Sequence, residues 1–169
     1  MIRVCFHGAE STGKSTLAAK LAAEYGCPLV AEYGRTYAET IGTDFTMDAL
    51  LAIAAEQDRM MREASVGNPP LVLLDTDPLM TAAWARMLFG KVPGELLAYE
   101  KAELYLSFAA DVPWVYDDTR FFGLHESRAE FAEVSERLLE EAGVRSVRIE
   151  GDWGEREATA RAAIAAALG

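Results

Sequence analysis

Gly8-Ala9-Glu10-Ser11-Thr12-Gly13-Lys14-Ser15 fits the pattern G-x-x-x-x-G-K-[ST] at every position. The apolar run Ile2-Arg3-Val4-Cys5-Phe6 comes before it, and Leu17-Ala18-Ala19-Lys20-Leu21-Ala22, with helical apolar spacing, comes after. A strand, a glycine-rich turn and a helix N-terminus in that order make a phosphate-binding P-loop. The glycines let backbone N–H groups turn inward around a polyphosphate, and the helix N-terminus adds partial positive charge. Lys14 is placed to reach the β- and γ-phosphates, and the Ser15 hydroxyl to join a Mg²⁺ shell. A glycine-rich turn carrying Lys-Ser by chance would not need both flanking elements. Gly8, Glu10, Ser11, Thr12, Gly13, Lys14, Ser15 and the adjoining Thr16 are therefore expected to bind a nucleoside triphosphate.

Outward from this motif, strands and helices alternate. Leu29-Val30-Ala31 reads as a short second strand ending at Glu32, followed by a helical region from Thr36. A longer helix is expected over 46–64, with Thr46 as N-cap and Asp48 in its first turn. Asn68-Pro69-Pro70 stops it, and Leu71-Val72-Leu73-Leu74 is a continuous apolar run, as in a strand covered on both faces. Asp75-Thr76-Asp77-Pro78 ends that strand and opens a helix, with Pro78 near N1. Further strands are expected at 104–108 and 144–149, an irregular stretch over 111–124, and helices over 126–142 and 155–168. The alternation calls for an α/β fold: a three-layer P-loop NTPase architecture with a five-stranded parallel sheet flanked by helices, plus a small lid. Ligands in such sheets gather at the carboxyl ends of the strands, where the motifs fall.

The 169 residues suit one domain, 1–169, with a lid segment at about 117–142. Half the residues are hydrophobic (51%) and a quarter charged (25%), the balance of a soluble globular protein. A net charge of −11 argues against nucleic acid and against an anionic membrane as partners, since phosphate-rich surfaces are bound by basic ones. Arg3 and His7 break the N-terminal apolar run, so neither a signal peptide nor a membrane span is expected. Cys5 and Cys27 form no C-x-x-C pair and fit inert buried thiols in a cytoplasmic protein. A homo-oligomer is compatible with all of this.

Leu71-Val72-Leu73-Leu74-Asp75 has the form of a Walker B strand, so Asp75 is expected opposite Ser15 across a Mg²⁺ site; a helix-capping role is compatible with that. The only lysines are Lys14, Lys20, Lys91 and Lys101, so the Asn/Thr-Lys-x-Asp motif of a GTPase does not exist here. A motor-type ATPase usually carries Glu after the Walker B Asp to activate water; this chain has Thr76. What remains is a compact P-loop kinase that passes phosphate to a hydroxyl while excluding water. Arg120 and Arg128 flank the lid candidate and are expected to stabilise charge on the transferred group, the alternative being a solvated loop and helix face.

The series Gly8 to Ser15, Glu32-Tyr33-Gly34-Arg35, Asp75-Thr76-Asp77, Pro113-Trp114-Val115 with Asp117-Asp118-Thr119-Arg120, and Gly151-Asp152-Trp153-x-x-Arg156 resembles the ribosylnicotinamide kinase domain of the NadR family of NAD-biosynthesis proteins. The likeness runs in order over essentially the whole chain. It implies phosphorylation of nicotinamide riboside at its 5′-hydroxyl with ATP and Mg²⁺, giving nicotinamide mononucleotide. Family members often carry an adenylyltransferase domain, and some a DNA-binding regulator, ahead of the kinase; neither is expected here, where the first strand begins at residue 2. Against this background Glu32 is expected to orient the attacking hydroxyl and accept its proton. Arg35 is placed either to pair with Glu32 or to touch the phosphoryl group. Asp77 is expected on the ribose hydroxyls, the alternative being an Asp-Pro turn. Tyr33, Tyr37, Gln57 and Trp84 are candidates for the base pocket, and Trp153 and Arg156 for the surroundings of adenine. Other acceptors, nucleosides or small hydroxylic metabolites, and a regulatory nucleotide-binding module with slow hydrolysis are the remaining alternatives.

Overall fold

The computed structural model describes residues 1–113 and 125–169, with no account of the side chains of residues 125 and 126. Its five strands are β1 (Ile2–Gly8), β2 (Leu29–Val30), β3 (Leu71–Asp75), β4 (Leu104–Phe108) and β5 (Ser146–Ile149). They form one sheet in the order β2-β3-β1-β4-β5, every pairing parallel. The helices among the described residues are α1 (Lys14–Tyr25), α2 (Tyr33–Thr40), α3 (Met47–Ala64), α4 (Pro78–Phe89), α5 (Gly94–Ala98), α6 (His125–Glu141) and α7 (Trp153–Leu168).

Burial explains the strand sequences. The central strands β3 and β4 are buried at every position and are apolar throughout apart from Asp75 and Ser107. Edge strand β5 alternates, with Ser146 and Arg148 outward and Ile149 buried. Val4, Phe6, Leu71, Leu73, Leu104, Leu106 and Phe108 pack with Leu17 and Leu21 of α1 and Ile164 of α7 on one face. Cys5, Val72, Leu74 and Tyr105 face the other way, onto Met61 of α3, Leu79 of α4 and Leu139 of α6. Two core layers on one sheet give the three-layer architecture expected from the sequence.

Several boundaries shift. Helix α2 begins at Tyr33 rather than Thr36, directly after Glu32. Helix α7 begins at Trp153, because Asp152 and Glu155 form a reciprocal capping box that starts the helix two residues early. The short α5, which buries Leu96, has no periodic signal in the sequence. The expected caps are present: the Thr46 side chain accepts from Ala49 N at 3.1 Å, and Asp77 caps α4 with Pro78 in its first turn. Of the lid segment at 117–142, residues 117–124 lie outside the described residues. The rest is mostly α6, whose Phe131, Val134 and Leu138 are buried against α4. That half is a core helix, a correction to its place in a lid.

Chain direction across the sheet reverses between β3 and β1, since β1 leads to β2 on one side and β3 to β4 on the other. The crevice beyond the carboxyl ends of these two strands is where such a sheet binds ligands. At its floor Gly8 has φ +135°, and a Cβ there would lie 2.6 Å from the Phe108 carbonyl oxygen. The close approach of β1 to β4 therefore requires glycine at the root of the loop. Gly8→Ala should lower unfolding free energy by about 2 kcal/mol or more, because strained backbone and a backbone clash act together. Urea denaturation of the purified variant measures this.

Candidate active site

A cavity of about 410 Å³ opens at this crevice. The P-loop, from Gly8 through Thr16, forms one wall. Helices α2, α3, α4 and α6 supply the other through Arg35, Phe45 (ahead of α3), Ile53, Gln57, Met80, Thr81, Trp84 and Phe131. Glu32 and Thr76 also line it, at the carboxyl ends of β2 and β3.

The loop is held open by bonds to its carbonyls. Ala9 O accepts from Lys14 Nζ at 2.7 Å and from Thr12 Oγ1 at 2.9 Å. Glu10 O and Ser11 O accept from Arg128 Nε and Nη2, each at 3.1 Å. Thr12 O accepts from Arg156 Nη1 at 3.1 Å, and Gly13 O from Leu17 N at 3.0 Å. Gly13 itself caps α1 with φ +86°, where an added Cβ would lie 2.9 Å from Trp153 Cζ3. With five successive carbonyls engaged in this way, the loop has its carbonyls turned to the protein, the arrangement of an anion-binding turn at a helix N-terminus.

These bonds correct two expectations. Arg128 is 3% exposed and donates to Glu10 O, Ser11 O and, at 2.7 Å, Val112 O, so it braces the loop from α6 rather than reaching over a phosphoryl group. Arg156 is 1% exposed and donates to Gly151 O, Thr12 O and Ala109 O while pairing with Asp111. Four of its five N–H donors are taken by the protein, so the guanidinium serves the fold of the loop rather than surrounding a base. Trp153, by contrast, is 43% exposed beside Gly13, where its ring is available. Arg120 lies outside the described residues.

Glu32 stands at the N-cap of α2 but makes no side-chain capping bond. Burial pushes its carboxyl up to about 7, the nearby charge of Asp75 adds to this, and Lys14 and Arg35 oppose it. Gln57, 2% exposed, fixes the chain on both sides of that acid: its Oε1 accepts from Tyr33 N at 2.8 Å and its Nε2 donates to Ala31 O at 3.2 Å. Its amide is thus committed to the β2–α2 corner as well as lining the cavity. Tyr33 and Tyr37 are not among the lining residues; both pack against the core cluster of α3 and α4. Trp84 does line the cavity, its ring tilted against Phe131 at 4.8 Å between centroids and against Phe45 at 6.4 Å. Burial lowers the Lys14 pKa, against the pull of Glu32, Asp75 and Glu10.

Asp75 is buried and its Oδ1 has no hydrogen-bond partner among the described residues, the condition of a carboxylate oxygen left for a cation or its water. Ser15 lines the same cavity. Asp77 behaves differently. Its Oδ1 accepts from Leu79 N at 3.0 Å, its Oδ2 accepts from the Tyr105 hydroxyl, and it is 1% exposed and absent from the cavity wall. The ribose contact expected of Asp77 is therefore corrected to the capping alternative. Cys5, His7 and Asp77 approach one another within 4.8 Å, but with the Asp77 oxygens so engaged this is a buried polar cluster. Burial holds the His7 pKa down to about 3, so the ring is neutral.

Residues 3–156 match the family AAA_28, described as an AAA domain, and the chain belongs to that family. It is 28% identical over 158 residues to the trifunctional NAD biosynthesis/regulator protein NadR of Escherichia coli (strain K12), covering 87% of this chain and 38% of that protein. A crystal structure of NadR protein in complex with NR superposes with a TM-score of 0.79 at 26% identity, over 99% of this chain and 51% of that one. A second, of NadR protein in complex with NAD and AMP-PNP, gives 0.73 at 25%, over 99% of this chain and 49% of that one. The chain thus spans about half the length of these relatives or less. Deoxyadenosine kinase from M. mycoides shares the fold, with a TM-score of 0.69 at 9% identity, over 98% of this chain and 100% of that one. No described helix is long and apolar enough to cross a membrane.

If Arg128 orders the loop, removing its donors should weaken triphosphate binding. Arg128→Met, which keeps the length of the stem, should bind a non-hydrolysable ATP analogue at least tenfold less tightly, about 1.4 kcal/mol. Calorimetric titration of the folded variant reads this directly.

Proposed function

We propose that the chain is an ATP-dependent kinase that transfers the γ-phosphoryl group to the 5′-hydroxyl of nicotinamide riboside, with residues 1–169 acting as one P-loop kinase domain. The observation that carries this is the position of Glu32. It lies in one cavity between a loop built for phosphates and a wall of Phe45, Trp84 and Phe131 suited to a flat ring. The similarity to NadR proteins supports the same acceptor.

In this mechanism the loop N–H groups and Lys14 bind the triphosphate, and Trp153 offers a face to the adenine. Asp75 and Ser15 would hold Mg²⁺, which would supply positive charge to offset that of the phosphates. The acceptor ring lies against Trp84, and Gln57 keeps the Glu32 backbone in place. The 5′-oxygen attacks the γ-phosphorus, the bond to the β-phosphate bridging oxygen breaks, ADP departs, and the hydroxyl proton passes to Glu32. Arg35 sits where its charge acts on Glu32 and Lys14 alike. A cationic nicotinamide ring favours aromatic faces, and two carboxylates, Glu10 and Glu32, line the same cavity.

The family description, AAA domain, supports a second possibility, net ATP hydrolysis. Thr76 in place of a water-activating acid after Asp75 argues against it.

Nicotinamide riboside should give the highest kcat/KM in a panel with thymidine, deoxycytidine, uridine and nicotinic acid riboside. Another nucleoside ahead by tenfold, about 1.4 kcal/mol of transition-state preference, would overturn the acceptor assignment. Hydrolysis unaffected by any acceptor would overturn kinase activity altogether.

The pH profile gives a separate check. Only ionised Glu32 can accept the proton, and its free-enzyme pKa is pushed up to about 7. Activity in kcat/KM should therefore be full above that value and fall about tenfold per unit below it. In Glu32→Gln the acid limb should vanish and kcat drop, with little change in acceptor dissociation constant.

A further inference from the structure

Thr76 has a φ of +81°. For a β-branched residue this is a true outlier, since the branched Cβ crowds the backbone there. The turn from β3 into α4 does not need it: glycine would make the same turn without strain. A threonine held in that conformation points to a use for its side chain.

Its location identifies the use. Thr76 follows the last residue of β3, and β3 lies between β2, which ends before Glu32, and β1, which ends at the P-loop. Thr76 is therefore placed where the acceptor half of the cavity meets the phosphate half. It is 4% exposed and lines that cavity, and its hydroxyl has no hydrogen-bond partner among the described residues. The neighbouring acids are accounted for separately, Asp75 by its free Oδ1 and Asp77 by the α4 cap. Sequence motifs assign Thr76 nothing beyond the absence of glutamate.

We propose that Thr76 is a catalytic residue: its hydroxyl donates a hydrogen bond to a non-bridging oxygen of the phosphoryl group in transit from ATP to the acceptor. This rests on the kinase activity proposed above. The bond strengthens as charge gathers on those oxygens, so the residue acts mainly on the transition state. The positive φ is what keeps the short side chain at the transfer point rather than in the core behind it.

Three variants of the full chain test this, each assayed for nucleoside phosphorylation, ATP-analogue binding and thermal unfolding. Thr76→Val removes the hydroxyl at constant shape. It should lower kcat at least tenfold while acceptor KM and analogue dissociation constant stay within threefold. Thr76→Ser restores the hydroxyl and should stay within threefold of the unsubstituted kcat. Thr76→Gly relieves the strain and should unfold no earlier than the unsubstituted protein while losing kcat as Val does. A Val variant with unchanged kcat, or one whose loss lies wholly in KM, overturns the assignment. So does a Gly variant that keeps full turnover, or one whose midpoint falls by more than about 4 °C, which would mark the side chain as serving the fold. Failure of the unsubstituted protein to phosphorylate any nucleoside removes the kinase activity and this role together. Normal activity with an indifferent Val variant removes only the role of Thr76.

Discussion

Two buried arginines gripping the carbonyls of one loop set the conditions for everything else in the cavity. A loop that must present N–H groups to an anion must send its carbonyls elsewhere, and a buried carbonyl without a partner is costly. Here Glu10 O and Ser11 O go to Arg128, Thr12 O goes to Arg156, and Ala9 O is shared by Thr12 and Lys14. Because the partners come from α6 and α7, the loop geometry is fixed by elements more than a hundred residues away in sequence. Arg128 also brings positive charge to the loop of a chain whose net charge is −11, whereas that of Arg156 is offset by its ion pair with Asp111. Attraction for a triphosphate is thus local, set against the repulsion of the molecule as a whole.

The remaining charges in the cavity oppose the stability of the ligand-free fold. Burial raises the Glu32 pKa and lowers that of Lys14, so each is held in its charged form at some expense. For Glu32 the folded state binds a proton more tightly than the unfolded chain does. Its ionisation therefore withdraws stability as pH rises from the ordinary carboxylate range through about 7. The unpartnered Asp75 Oδ1 and the strained Thr76 add to the same debit. These features sit at the carboxyl ends of β2 and β3, while the centre of the sheet is apolar and well packed. Phosphate charge would relieve the buried Lys14, and a cation the Asp75 oxygen, which is the form of a preorganised site.

What was legible in the sequence divides along a physical line. The loop, the sheet and the positions of Glu32 and Asp75 follow from side-chain periodicity and local spacing, and the structure has the same parallel five-stranded order. Arg128 and Arg156 were visible as charges near motifs, but their partners are carbonyls, which every residue has and no sequence pattern distinguishes. Asp77 was ambiguous because a capping acid and a ligand-binding acid look alike after a strand; the Tyr105 hydroxyl, brought close only by folding, decides between them. Gln57 was legible as a lining residue, whereas its bonds to either side of Glu32 depend on how α3 packs. The φ of Thr76 has no sequence signal except that a turn here holds no glycine.

The division of the cavity bears on how specificity and rate can be separated in this fold. On the function proposed above, the triphosphate would lie on the loop after β1, which is braced from α6 and α7, and the acceptor ring against a wall built from the start of α3 and from α4 and α6. The two sets share α6: Arg128 bonds the loop on one turn, and Phe131, three residues on, packs against Trp84 with its ring tilted. A shift of that helix would move both at once. Residues i and i+3 lie on one helix face, so a displacement that loosens the brace also withdraws the aromatic wall. Glu32 and Thr76 stand between the halves on strand ends, which packed helices can shift only by disturbing the sheet itself. On the mechanism proposed above, the reacting groups thus sit at the ends of sheet strands and the binding groups on the helices packed around them.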